Sequence, residues 1–240
     1  MDRASGMVTT AQGAYTMAEV GAGYGRWAVR AACAARQHCG LPFQLIAVEA
    51  EPKYFHWLRQ HFRDNGIDPD RHRLIHAAVT DHCGVAPFYV QRPDDDQRPR
   101  ELWFGQTIAP RPVAESLGAG EYYGFPLSKH PNGYSSITVP CLTLHEVLDG
   151  CVLVDLVDID IQGEELRAVS AAMDLLNTKV KRLHIGTHSA QVEDGLRRLL
   201  RNNGWKPRAD YGCGGVHETP YGSICFQDGV QTWINSRLVT

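Results

Sequence analysis

Short apolar runs alternate with amphipathic segments along the whole chain. In the first third, the runs predict strands at 15–20, 43–50 and 72–79. The segments between them carry apolar residues at helical spacing and predict helices at about 24–38 and 51–66. The second of these helices has a proline in its first turn and a glycine at its end, which are favoured positions for both residues.

The same alternation continues in the second half of the chain. Strands are predicted at 151–161, 181–188 and 221–226, and helices near 163–175 and 190–203. Regular strand–helix alternation predicts an α/β fold with a Rossmann-like, doubly wound and mostly parallel sheet. Such sheets bind ligands beyond the carboxyl ends of their strands. The glycine and acid clusters of this chain fall at those ends.

Residues 91–135 interrupt the alternation, because they are rich in proline, glycine and charge. This insert contains five aromatic side chains: Trp103, Phe104, Tyr122, Tyr123 and Phe125. A long insert without regular structure in a compact domain is usually either disordered or a functional lid. The aromatic residues would reduce solubility if they packed against nothing, so they favour a lid on the substrate side.

Length and composition predict one soluble domain over residues 1–240. Apolar residues make up 43% of the chain and charged residues 21%, as in ordinary globular proteins. The net charge of −3 and the lack of a dense basic block argue against a nucleic-acid partner. Residues 1–15 lack the apolar core of a signal peptide, and no apolar run is long enough to span a membrane. We therefore expect a cytoplasmic protein without a membrane partner.

The cysteines support the same compartment. There are seven of them, scattered along the chain and never spaced as C-x-x-C. An odd number without pairing motifs is typical of reduced thiols in a cytosol rather than of a disulfide framework or a zinc site.

The segment TMAEVGAGYGRWAVRAA, residues 16–32, places three glycines between a predicted strand and a predicted helix. Gly21, Gly23 and Gly25 form G-x-G-x-G rather than the G-x-G-x-x-G of dinucleotide sites, and no G-K-[ST] follows, which excludes a P-loop. Glu19 would repel a nearby pyrophosphate, but it suits the positive charges of S-adenosylmethionine. The glycines let the backbone approach such a ligand without an intervening Cβ.

Glu49 ends the second predicted strand, 24 residues after Gly25. A carboxylate there can accept hydrogen bonds from both ribose hydroxyls of an adenosine, worth about 1.5–3 kcal/mol each. Alternatively, Glu49 caps the following helix. Glu51, directly before Pro52, is the better candidate for the cap, which leaves Glu49 for the ribose.

Five segments, in this order, resemble the FkbM-type class I S-adenosylmethionine-dependent methyltransferases: EVGAGYG, AVEAEPKYFHWL, HAAVTDHCGVAPFYV, VPCLTLHEVL and DLVDIDIQGEEL. The resemblance covers about residues 16–205, apart from the insert. It implies a sheet of seven strands whose last strand is antiparallel. It also implies methyl transfer to a hydroxyl of a small molecule, natural product or sugar. The cofactor-binding residues are then Glu19, Gly21, Ala22, Gly23, Gly25, Glu49, Ala50 and Ala78.

Two departures from the family pattern lie in DLVDIDIQGEEL. Relatives usually have lysine where Asp158 stands and glutamate where Gln162 stands, whereas Asp160, Gly163 and Glu165 match the family. These departures concern the acceptor and any metal more than the cofactor. The part before the first strand is also short, so a helical cover found in relatives is either absent here or supplied by a second copy in a homo-oligomer.

Candidates for catalysis lie at the ends of two later strands. Methylation of a hydroxyl requires an oriented acceptor and removal of its proton. Asp158 and Asp160 point to the same side of a strand, and His184 and His188 belong to the next one. Asp160 and His188 lie nearer the strand ends and are predicted to be catalytic, with Asp158 beside them, while His184 is predicted to be a packed residue. Asp158, Asp160 and His188 either bind Mg²⁺ or Mn²⁺ or provide a base with an orienting acid.

Three other interpretations are open at this point. An N- or C-methyltransferase of the same fold would need neither a metal nor a strong base. A nucleoside-binding regulatory or scaffold protein could retain the cofactor loop without turnover, although the intact Glu19, Glu49 and Asp160 argue against it. A nicotinamide-dependent oxidoreductase is disfavoured by the glycine spacing.

Overall fold

The computed structural model of the protein describes residues 13–93, 106–109 and 120–239. Its strands are β1 (Tyr15–Val20), β2 (Phe43–Glu49), β3 (Arg73–His76), β4 (Ala78–Val79), β5 (Gly84–Gln91), β6 (Glu121–Tyr122), β7 (Phe125–Pro126), β8 (Ser128–Lys129), β9 (Ser135–Leu142), β10 (Leu156–Ile159), β11 (Arg182–Thr187), β12 (Trp205–Tyr211), β13 (Gly215–Thr219), β14 (Gly222–Phe226) and β15 (Gly229–Asn235). Its α-helices are α1 (Arg26–Ala34), α2 (Pro52–Asp64), α3 (Leu144–Val147), α4 (Glu165–Ala171), α5 (Met173–Lys179) and α6 (Ala190–Asn202).

Seven strands form the central sheet, in the order β3-β2-β1-β10-β11-β15-β12. Strands β1, β2, β3, β10 and β11 pair in parallel, and β15 is antiparallel to both of its neighbours, β11 and β12. The predicted doubly wound, mostly parallel sheet with an antiparallel last strand is therefore confirmed. From β1, the first strands of the chain are added on one side (β2, β3) and the later ones on the other (β10, β11). This change in the order of strands at β1 marks the place where open α/β sheets bind ligands.

The two faces of the sheet bury different helices, as the alternation of residues along β1 shows. Tyr15 and Met17 belong to the apolar cluster formed with α1 and α2. Ala18 and Val20 belong to the opposite cluster, formed with α3, α4, α5 and α6. Both faces are thus covered, and the carboxyl ends of the strands are the edge that remains for a ligand. No helix among the described residues is long and apolar enough to cross a membrane.

Three of the predicted strands are wrong in their extent or partners. The predicted strand 151–161 is a strand only over β10, Leu156–Ile159. The predicted strand 72–79 divides at Ala77, whose N–H donates to the Glu49 carbonyl at 3.1 Å, and its second part, β4, joins another sheet. The predicted strand 221–226 lies outside the central sheet, in a hairpin of β13 and β14. The strand that completes the sheet is β15, which follows that hairpin.

A second sheet, in the order β4-β9-β5 with β8 beside β9, carries the insert. Strands β5 and β9 pair antiparallel, so Gln91 and Ser135 at the two ends of the insert are direct partners. Inside it, Tyr122 is buried and Tyr123 is exposed, while Trp103 and Phe104 lie outside the described residues. The function of the insert as a lid stays a prediction.

Candidate active site

A cavity of about 340 Å³ opens at the carboxyl ends of β1, β2 and β10. This volume is typical of a small-molecule site. Of the residues predicted from sequence to bind a cofactor, those that line it are Glu19, Gly21, Ala22, Gly23, Glu49, Ala50 and Ala78. Asp158 and Asp160 also line it, whereas Gly25 and His188 do not.

Glycine is needed at the three positions of the loop after β1 for different structural reasons. A Cβ on Gly21 would lie 1.8 Å from the Asp160 carbonyl oxygen, and one on Gly25 would lie 2.3 Å from Leu58 Cδ1. These two glycines therefore permit close packing within the protein. A Cβ on Gly23 would meet no atom of the described residues within 4 Å. Gly23 thus leaves open the wall that a bound cofactor would approach.

Glu19 fixes the start of α1. It is 2% exposed, and its two carboxylate oxygens accept from the backbone N–H groups of Trp27 at 3.1 Å and Ala28 at 2.8 Å. A carboxylate bound to the first N–H groups of a helix stabilises that helix end through both hydrogen bonds and the helix dipole. The acid predicted to face a cationic cofactor therefore also holds the glycine loop and α1 together.

The two glutamates at the end of β2 have separate roles. Glu51 caps α2, since its side chain accepts from the Tyr54 N–H at 2.6 Å, as the sequence predicts. Glu49 accepts from the Glu51 N–H at 2.7 Å and the Gly23 N–H at 2.6 Å. Burial raises the pKa of Glu49 to about 7, although these backbone hydrogen bonds oppose the shift. Each carboxylate oxygen can accept a second hydrogen bond, so the geometry fits a ligand with two neighbouring hydroxyls, such as a ribose.

Asp160 is held at the cavity wall by a histidine behind it. His188 Nε2 lies 3.3 Å from Asp160 Oδ1, and His188 Nδ1 lies 3.0 Å from Glu165 Oε1. Burial lowers the pKa of His188, but hydrogen bonds and charge interactions with the two acids outweigh burial and raise it to about 10. His188 is therefore an imidazolium at neutral pH and donates from both nitrogens. Gly186 leaves room for this arrangement, because a Cβ there would lie 3.3 Å from Asp160 Cγ.

The predicted metal ligands do not come together as expected. Asp160, Glu165 and His188 have potential ligand atoms within 4.8 Å of one another, and Asp158 is not part of this group. Glu165 is fully buried and already accepts from the N–H groups of Ile161 and Gly163 as well as from His188. Two of the three predicted ligands, Asp160 and His188, thus lie together, but their third neighbour is Glu165 and not Asp158, and the hydrogen bonds among them are those of an ion-pair network.

Asp158 and His184 lie deeper than the cavity edge. Asp158 is 1% exposed. In the strand register, it lies opposite Glu19 of β1 on one side and opposite His184 of β11 on the other. His184 is buried, and its Nδ1 lies 2.7 Å from Thr232 Oγ1. The prediction that His184 is a packed strand residue is confirmed.

Several lining residues are not evident from the sequence motifs. Tyr54 and Trp57 lie three residues apart on α2, and Phe88 lies on β5. The helical spacing of the first two is a signal that could have found them. Gln106 and Ile108 come from the insert, where Ile108 forms a β-bridge with Phe88. Only the folded chain shows that this part of the insert forms a wall of the cavity.

A seven-stranded α/β sheet with one antiparallel strand, a glycine loop after β1 and a carboxylate at the end of β2 define a class I methyltransferase domain. The chain belongs to the FkbM methyltransferase family, because the family model described as "Methyltransferase FkbM domain" matches residues 19–205. A methyltransferase domain of this fold implies S-adenosylmethionine as the methyl donor.

The chain is also similar to a further protein sequence and to a crystal structure. A protein of Jannaschia sp. (strain CCS1) named "Putative methyltransferase" is 31% identical over 203 residues, which are 85% of this chain and 66% of that protein. The crystal structure of methyltransferase FkbM from Methylobacillus flagellatus KT is 11% identical, with a TM-score of 0.54. That match covers 92% of this chain and 43% of the other, and at this identity it shows the fold alone.

The raised pKa of Glu49 predicts a pH dependence of cofactor binding. Ribose hydroxyls favour the ionised carboxylate, so binding of S-adenosylhomocysteine must release a proton wherever Glu49 is protonated. We expect its affinity to rise as pH increases toward the Glu49 pKa of about 7 and to level off above it. Well below that pKa the affinity falls about tenfold per pH unit. Isothermal titration calorimetry across this range measures the effect.

The variant Glu49→Gln is the control for this pH dependence. It should bind S-adenosylhomocysteine more weakly and without the pH dependence. An unchanged pH profile in that variant would assign the titration to another group.

Proposed function

We propose that this domain transfers the methyl group of S-adenosylmethionine to a hydroxyl of a small-molecule acceptor. The observation that carries the proposal is the carboxylate of Asp160, which lines the cavity, is 43% exposed and is held from behind by His188. A hydroxyl must lose its proton when it is methylated, and a positioned carboxylate at the acceptor site can accept that proton as a general base.

The cofactor would lie across the carboxyl ends of the strands. Glu49 would accept hydrogen bonds from the ribose hydroxyls. Ala50 and Ala78 would lie beside the adenosine, and the open space next to Gly23 would let the cofactor contact the loop backbone. The cofactor, when bound, supplies an electrophilic methyl group on a sulfonium. The buried carboxylates of Glu19 and Asp158 favour a positive charge in this part of the cavity.

Asp160 would then accept the proton of the acceptor. A hydroxyl becomes far more acidic as its oxygen takes up a methyl group, so a carboxylate of ordinary basicity is sufficient. His188 stays protonated and keeps Asp160 in place, and Gln162 Nε2 donates to the same oxygen, Asp160 Oδ1, at 3.3 Å. The exposed part of Asp160 provides the route by which the proton passes to water.

The residues that line the cavity favour a small molecule as the acceptor. Gln106 and Ile108 of the insert close one side, and the Thr107 hydroxyl donates to the Gln162 carbonyl at 3.0 Å. Carboxylates dominate the charged lining, and they would repel the phosphates of a nucleic acid. An acceptor without a phosphate backbone fits these walls better.

Labelling tests the proposed reaction. The protein is incubated with S-adenosylmethionine carrying a trideuteromethyl group and with metabolite extracts, and labelled products are found by mass spectrometry. Fragmentation that places the label on oxygen supports the proposal, and a label on nitrogen or carbon replaces it with the corresponding transfer. Binding of S-adenosylhomocysteine without any labelled product would favour a non-catalytic nucleoside-binding protein.

The insert should respond to both ligands. We expect residues 91–135 to exchange amide hydrogens more slowly when cofactor and acceptor are both bound, because a lid closes over the reacting groups and excludes water. Hydrogen exchange with mass spectrometry measures this, and the hairpin of β13 and β14 is an internal control. Equal exchange in the free and bound states would make the insert a fixed part of the fold.

A further inference from the structure

The glycine loop has few backbone donors left for a ligand. The N–H groups of Gly21 and Ala22 both donate to the Val48 carbonyl, at 3.0 and 2.9 Å. The N–H of Gly23 donates to Glu49. Glycine loops of nucleotide-binding proteins use such N–H groups to bind anions. In this loop, protein oxygens already occupy these three.

The start of α1 is occupied in the same way. The N–H of Gly25 donates to the Ala22 carbonyl at 2.8 Å, and those of Trp27 and Ala28 donate to Glu19. A helix N-terminus ordinarily attracts a ligand carboxylate. Here the side chain of Glu19 takes that place, so these N–H groups are not available to an anionic group of the cofactor, and a side-chain partner becomes the better candidate.

The charges around the cavity identify that partner. Five carboxylates line it: Glu19, Glu49, Asp158, Asp160 and Glu164. Among the described lining residues, Arg26 is the one Lys or Arg side chain. The amino-acid part of S-adenosylmethionine carries a carboxylate, which these acids would repel and the guanidinium would attract.

The position of Arg26 suits this role. Its Cζ lies 4.7 Å from the centroid of the Trp27 ring, which also lines the cavity. Stacking on an indole restricts the guanidinium and lowers the entropy lost when it binds. Glu49 on β2, Asp160 after β10 and Arg26 at the start of α1 line the same cavity. A cofactor with its ribose at Glu49 and its methyl group near Asp160 would have the start of α1 as the remaining side for its amino-acid part.

We infer that Arg26 binds the α-carboxylate of the cofactor's methionine part and that this contact replaces the backbone anion site of other glycine loops. The inference rests on the proposed use of S-adenosylmethionine. It assigns to one exposed arginine a ligand contact that the glycine motif does not predict.

A pair of ligands and a pair of variants test it. Calorimetry compares S-adenosylhomocysteine with its decarboxylated analogue, which lacks only the carboxylate, for the parent protein, Arg26→Gln and Arg30→Gln. Arg30 is the matched control, because it also stacks on Trp27, at 5.1 Å, but does not line the cavity. We expect Arg26→Gln to weaken S-adenosylhomocysteine about 10- to 100-fold, as loss of a charge-assisted contact implies.

The analogue should bind Arg26→Gln and the parent protein equally, and Arg30→Gln should behave as the parent with both ligands. Equal weakening of both ligands by Arg26→Gln would show a structural effect on the loop and overturn the inference. An unchanged affinity for S-adenosylhomocysteine would overturn it as well, while leaving the proposed function in place. If the parent protein binds neither ligand, the cofactor assignment fails together with the inference.

Discussion

Asp160→Asn should lower kcat about 10²- to 10⁴-fold, the usual contribution of a general base, once an acceptor has been identified by labelling. Asparagine has nearly the same shape as aspartate but cannot take up the proton of a hydroxyl. The affinity for S-adenosylhomocysteine should change little, because the cofactor contacts proposed here lie on the loop after β1 and at Glu49. Steady-state kinetics and calorimetry on the same preparations separate the two effects.

Asp174→Asn provides a matched control, since the Asp174 side chain is 78% exposed and pairs with His145 at the surface, away from the cavity-lining residues. It should retain the parent rate. If Asp160→Asn also retains it, the proton leaves by another route, and an acceptor that needs no base, such as an amine, becomes the better assignment.

Gly21→Ala should destabilise the fold and the site together. The new Cβ would lie 1.8 Å from the Asp160 carbonyl oxygen, in a backbone conformation with φ of +78°. Steric displacement and the positive φ together should lower the free energy of unfolding by about 2–5 kcal/mol. Urea denaturation followed by circular dichroism measures this change.

Gly23→Ala separates the two causes. Gly23 also has a positive φ, of +54°, but a Cβ there would meet no described atom within 4 Å. Gly23→Ala should therefore lower the free energy of unfolding by only about 1–2 kcal/mol, from backbone strain. Cofactor binding should weaken, because the alanine side chain would occupy the open wall of the cavity. A larger loss of stability for Gly23→Ala than for Gly21→Ala would contradict this explanation of the two glycines.

The sequence predicts those parts of the structure that depend on local patterns. The strand, glycine loop and helix of residues 15–34 follow from an apolar run, a G-x-G-x-G motif and an amphipathic segment. The roles of Glu49 and Glu51 are also separable from sequence, because Pro52 marks the first turn of α2 and so identifies the preceding residue as the cap.

Features that depend on distant partners are not predictable in this way. The segments 221–226 and Gly229–Asn235 both have strand patterns, and only packing decides that the second one joins the sheet through Trp233, which is fully buried. The break at Ala77 likewise depends on where β9 lies. The protonation of His188 depends on Glu165, which is 23 residues away in the chain.

The pairing of Gln91 with Ser135 means that the insert leaves and re-enters the domain at adjacent positions. A segment whose two ends are fixed side by side can change in length at little entropic cost, since closing a longer loop adds only about 0.6 kcal/mol per doubling of its length. Its composition is less free, because Tyr122 and Leu127 are buried in the same apolar cluster as Ala50 and Ala78 on the cofactor side of the cavity. An exchange of the residues between β5 and β9 for those of a homologue, made to transplant acceptor preference, therefore has to keep the side chains that pack against Ala50 and Ala78, namely Tyr122 and Leu127.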